Sequence, residues 1–221
     1  MTKYKLEFRH RPCASESIEE RHMSFLKGIG DLGVPWNLNG ALEVPSIGSE
    51  LVASVSLDKS LPPGVKGRIS YALRDQKYLK DDAQFDDTLF IEFQSSKVNY
   101  SDLLRVIFPK YIKAFSSYRS ALHDWNVTRS DWPLVLAGCE ATKKDINGRD
   151  GVFRINAANY FDRELCLRAF GKSASQLVDL LKGDVEEVRE FEGGVLIVIS
   201  YIPLSTIEFI SVSDRLKKLI V

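Results

Sequence analysis

The sequence predicts an α+β protein, a mixed or antiparallel sheet with helices packed on it. Three observations lead there. Several short segments alternate apolar and polar residues, others repeat apolar residues every three or four positions, and the two kinds follow each other without a regular strand–helix–strand beat. With 221 residues the chain can bury roughly 70% of its unfolded surface, so a core needs neither disulfides nor a structural metal.

Each element has its own local reason. Residues 3–9 set Tyr4, Leu6 and Phe8 against Lys3, Lys5, Glu7 and Arg9, a strand with one wet face that Pro12 ends. Ser17-x-x-Glu20 is a capping box, and Ile18, Phe25, Leu26 and Ile29 continue it at helical spacing until Gly28, Gly30 and Gly33 stop the helix. Residues 34–65 are rich in Pro, Gly and Ser and read as a loop-rich excursion with one strand around 51–57. Residues 66–80 read as a short helix carrying Ile69, Ala72 and Leu73, and 88–93 as a strand behind an acidic loop. Leu104, Ile107, Phe108, Tyr111, Phe115, Tyr118 and Leu122 line one helical stripe, kinked or divided at Pro109.

The stretch 124–150 reads as irregular. Beyond it, 152–155 suggests a strand and Arg163–Phe170 a helix closed by Gly171. Ser173-x-x-Gln176 caps a further helix with Leu177, Leu180 and Leu181. Residues 185–191 and 195–199 form a hairpin across Glu192-Gly193-Gly194, and Ser205-x-x-Glu208 opens a closing helix, or two short ones, running to Leu219. No internal repeat breaks the chain, so one domain over 1–221 is expected, with 124–150 as the place where it would subdivide.

Charge narrows the function classes. Lys+Arg and Asp+Glu both total 30, giving zero net charge and a pI near 6.8, which argues against a dedicated nucleic-acid or membrane-surface binder. The opening residues are charged where a signal peptide would be apolar, and no run approaches the ~20 apolar residues of a bilayer crossing, so a cytoplasmic protein is expected. Cys13, Cys139 and Cys166 are far apart with no CxxC, as reduced thiols would be.

Chemical motifs are sparse. Gly28-Ile29-Gly30-Asp31-Leu32-Gly33 matches GxGxxG, but it follows a helix, whereas a dinucleotide site must follow a strand and open a helix; helix termination explains it. His10, Cys13 and His22 lack zinc spacing, His123 stands alone near the end of a predicted helix, and Cys166 sits in an apolar run. No cofactor and no catalytic constellation is expected. One enzymatic alternative remains: Asp86 or Asp87 followed by Glu92-Phe93-Gln94 resembles a restriction-endonuclease metal site, which makes a metal-dependent nuclease using Asp87 and Glu92 the runner-up.

Two acidic runs are more distinctive. Asp81, Asp82, Asp86 and Asp87 fall within seven residues, and 184–192 holds Asp184, Glu186, Glu187, Glu190 and Glu192 against Arg189 alone. Such runs are either solvated faces or a docking surface for a basic partner. Trp125 and Trp132 read either as aromatic anchors of that surface or as lids on the core.

In the last third, Asn159-Tyr160-Phe161-Asp162, Leu165-Cys166, Phe170-Gly171 and Phe191-Glu192-Gly193-Gly194-Val195-Leu196-Ile197-Val198 precede a closing helix. This series resembles the immunity protein 52 family of bacterial polymorphic toxin systems, most strongly over residues 152–221. The resemblance implies a non-enzymatic antitoxin. Such a protein binds a secreted effector, often one delivered by a type VI secretion apparatus and often a restriction-endonuclease-like nuclease, and covers its active site or DNA groove. These motifs carry no residue-level contact across. The expected partner is the cognate toxin, with no nucleic acid and no membrane. The partner-binding residues expected from charge and aromaticity are Asp81, Asp82, Asp86, Asp87, Trp125, Trp132, Glu186 and Glu187.

Overall fold

A computed structural model describes residues 2–38, 52–74 and 85–221. They form an α+β fold, and the described chain divides into two compact units, one of residues 7–117 and one of residues 1–6 with 118–221. The first strand, β1 (Lys3–His10), gives residues to both.

In the unit of residues 7–117, β2 (Val52–Ser56), β3 (Lys66–Ala72) and β4 (Asp87–Gln94) join β1 in the order β2-β3-β4-β1. The β2–β3 and β3–β4 pairs are antiparallel, with Ile69 opposite Val55 on one side and Leu89 on the other. Residues 66–72 are therefore a strand and not the expected helix. Gly67, Ile69 and Tyr71 are buried while Lys66 and Arg68 are exposed, a period of two that three apolar residues at near-helical spacing concealed. The expectations for 39–51 and 75–84, with Asp81 and Asp82 of the acidic loop among them, lie outside the described residues.

Helix α1 (Ile18–Ile29) begins with the full capping box: Ser17 Oγ accepts the Glu20 N–H and Glu20 Oε2 accepts the Ser17 N–H. It buries Ile18, Phe25 and Ile29 together with Arg21 and His22. Gly28 lies inside it and faces Ala114; a Cβ there would come within 2.7 Å of the Ala114 Cβ, so glycine permits the close approach of a later helix. That helix begins as a single turn, α2 (Tyr100–Asp102), widens into a π-helical turn over Leu103–Ile107, and continues as α3 (Phe108–Ala114). Pro109 follows directly on the π-turn, so the helix widens where a residue without an N–H interrupts the hydrogen-bond ladder. The helical stripe stops at Phe115. Ser116 takes a positive φ of 41°, and the expected continuation through Tyr118 and Leu122 does not form, because 119–124 are extended.

In the other unit, β5 (Arg119–Asp124), β6 (Ala158–Phe161), β7 (Glu187–Phe191) and β8 (Gly194–Val198) follow β1 in the order β1-β5-β6-β8-β7. The β5–β6, β6–β8 and β7–β8 pairs are antiparallel. The β7–β8 hairpin turns on Glu192 and Gly193 with φ of 44° and 77°, the double positive φ of a tight two-residue loop. The strand expected at 152–155 is displaced to β6. Val152 and Ile155 are buried but extend no ladder.

The largest departure is α4 (Trp125–Thr142), an 18-residue helix where an irregular stretch was expected. Asp124 caps it, its Oδ1 accepting the Asn126 and Val127 N–H groups. With Pro133 inside and only Val127 and Val135 buried, it lacks the apolar stripe by which helices are read from sequence. Helices α5 (Arg163–Phe170), α6 (Ala174–Leu181) and α7 (Thr206–Ile220) follow their capping signals. Asp162, Ser173 and Ser205 each accept a backbone N–H three residues on. Phe161, Leu165, Cys166, Leu177, Val195 and Leu216 are fully buried members of this unit's core. Among the described residues, no helix is long and apolar enough to cross a membrane.

Candidate functional site

Asp86 and Asp87, expected to face a partner, are turned inward. Asp87 is fully buried at the start of β4. Its Oδ1 accepts from Arg74 Nη1 and from the Ala72 N–H, and its Oδ2 accepts from Arg74 Nη2. Asp86 Oδ2 accepts from Arg9 Nε at 2.7 Å with its side chain almost wholly covered. Neither carboxylate presents charge to solvent. Asp81 and Asp82 lie outside the described residues.

The runner-up nuclease site does not assemble either. Asp87 and Glu92 are five residues apart on one strand, so they point to opposite faces with Cα atoms roughly 16 Å apart, and cannot share a cation. Among the described residues, no group of three or more His, Cys, Asp or Glu is placed to hold a metal ion.

A partly buried polar cluster joins β1, α1 and the end of α3 in the 7–117 unit. His10 Nδ1 is 2.9 Å from the Ser116 carbonyl oxygen and its Nε2 is 3.5 Å from Glu16. Arg21 donates to Ser116 Oγ and to the Ala114 carbonyl, and its guanidinium lies 5.2 Å from the Phe115 ring centroid. Burial, and then the Arg21 charge, hold the His10 pKa below its ordinary value. His22 Nδ1 and the Tyr71 hydroxyl share a 2.8 Å hydrogen bond, and burial raises the Tyr71 pKa. These groups fasten α1 and the end of α3 to the sheet.

Glu186 and Glu187 position a loop. Glu186 Oε2 accepts the Tyr201 N–H at 2.8 Å and its Oε1 accepts the Ser200 hydroxyl, while Glu187 accepts the Tyr201 hydroxyl and pairs with Arg189. The loop they hold leads through exposed Ile202 into α7, whose capping box at Ser205–Glu208 fixes the next turn. Thr206 Oγ1 also donates to Asp124 Oδ2, the N-cap of α4, so the first turns of α4 and α7 are tied together. Ile202, Ile207 and Ile210 are left exposed on this fixed frame, Ile207 at 83%.

The outer face of α4 is the second exposed apolar surface of this unit. Trp125 is half-buried with the Lys3 ammonium 5.2 Å from its ring centroid, and Trp132 is 54% exposed. Leu134 and Leu136 are exposed as well. Large apolar side chains left exposed on a regular helix mark a candidate protein-binding surface.

Sequence reasoning named the two tryptophans but not Ile202, Ile207 or Ile210. Residues 206–212 are apolar on two sides, and the side that packs inward, Phe209 and then Leu216 and Ile220, is set by the core it joins. A signal was present: α7 has more apolar positions than one buried stripe can use.

No family model matches the chain, and no curated protein matches it. Among solved structures, the chain is similar in fold to the Pseudomonas aeruginosa T6SS protein PA0821. The TM-score is 0.53 at 11% sequence identity, over 99% of this chain and 72% of that one.

Proposed function

We propose that this protein is an immunity protein of a type VI secretion system, working in the cytoplasm and carrying out no chemistry of its own. It binds a cognate effector, a restriction-endonuclease-like nuclease, and covers its active site or DNA groove. The observation that carries this reading is the Ile202–Ile207–Ile210 surface, an apolar edge held rigid by the Glu186 contacts and the Ser205 cap. The resemblance of residues 152–221 to the immunity protein 52 family and the fold likeness to a T6SS protein support the same direction. Protection of a cell demands nanomolar binding, about −12 kcal/mol, which a few well-packed apolar anchors within an interface of about 1,600 Å² supply.

Co-expression tests it. Cells carrying the effector gene encoded beside this one should survive with the wild-type protein and die with an Ile202→Glu/Ile207→Glu variant that retains its melting temperature. Killing in the presence of the wild-type protein would sink the reading.

A further inference from the structure

Helix α4 carries a pattern that is its own complement. Trp125, Arg129, Trp132, Leu136 and Glu140 are spaced by four, three, four and four, so at about 100° per residue they share an arc of roughly 80°. This arc faces away from Val127 and Val135, the two residues α4 buries. Arg129, Trp132, Leu136 and Glu140 are exposed, and among the described residues neither Arg129 nor Glu140 forms an ion pair. On one flank of the arc Ser130, Pro133 and Ala137 are exposed and short, beside Asn126.

We propose that a second copy of this chain covers the outer face of α4 in an antiparallel, two-fold pairing. The midpoint between Arg129 and Glu140 nearly coincides with the midpoint between Trp132 and Leu136, both at the level of residue 134. In an antiparallel pair crossing there, Trp132 of each copy packs on Leu136 of the other. Arg129 of each meets Glu140 of the other, each about 8 Å from the crossing point along the helix axis. A parallel pair would set Arg129 against Arg129 and Glu140 against Glu140, so charge selects the antiparallel arrangement. One helix about 27 Å long offers less than the ~800 Å² per partner of a standard interface, so the dimer is a weak one, in rapid exchange with monomer. It rests on the α4 face and does not depend on the proposed effector.

Sedimentation of the full chain between about 1 and 200 µM tests it. The expected result is a weight-average mass rising from one chain toward two, with Trp132→Glu monomeric throughout. Arg129→Glu and Glu140→Arg should each weaken association about tenfold, and the double variant should restore it to within about threefold of wild type. All these positions are exposed, so unchanged melting temperatures are expected alongside. A wild-type monomer over the whole range, or a dimer indifferent to Trp132→Glu, overturns the pairing. So does a charge swap that fails to restore it. A monomer whose Trp132→Glu variant loses protection against the effector would assign this face to the effector instead.

Discussion

Arg74 and Asp87 meet through two parallel hydrogen bonds, Nη1 to Oδ1 and Nη2 to Oδ2, each 2.8 Å, with the carboxylate wholly buried. An acidic residue that looks like surface charge in the sequence is thus an interior strut, joining the end of β3 to the start of β4. Removing one member leaves the other charge buried and uncompensated. Asp87→Ala should lower stability by about 3–5 kcal/mol, whereas Arg74→Met with Asp87→Leu should cost clearly less. Urea midpoints of the single and double variants read the difference. Equal losses would show that the pair is not the source of the penalty.

Acid should loosen the same unit through His10. Its imidazole faces Glu16, Arg21, Asp87 and the Ser116 carbonyl, and burial with the Arg21 charge holds its folded pKa below the unfolded value. The unfolded chain therefore binds a proton that the native ring refuses. Stability from this site is complete above about pH 6.5 and declines as the pH falls toward the folded pKa. A His10→Gln variant should lose less stability than wild type between about pH 7.5 and 5.5. Identical pH slopes in urea titrations would acquit the histidine.

The thiols should separate by burial. Cys13 is exposed beside Ser15, while Cys166 is wholly buried, and burial followed by the Asp162 charge pushes its pKa up to about 12. A disulfide reagent at neutral pH should modify Cys13 within minutes and reach Cys166 only after unfolding. Modification of Cys166 in the folded protein at the rate of Cys13 would contradict the burial.

What the sequence determined by itself was local. Capping boxes at Ser17, Ser173 and Ser205, the Gly171 stop, and the Glu192–Gly193 turn all act within four or five residues of chain, so their hydrogen bonds are implicit in the spacing. The α+β class follows from the same signals. Helix α4 escaped because it buries only two residues and contains Pro133, and 66–72 was misread because the pairing with β2 and β4 overrides a weak local preference. Tertiary structure alone decided which charges face water. Asp86 is satisfied by Arg9 across 77 residues and Glu186 by a backbone N–H 15 residues on. It also decided which apolar side of α7 faces out. Solvent exposure is a property of what packs against a residue, and the elements that pack are distant in the chain.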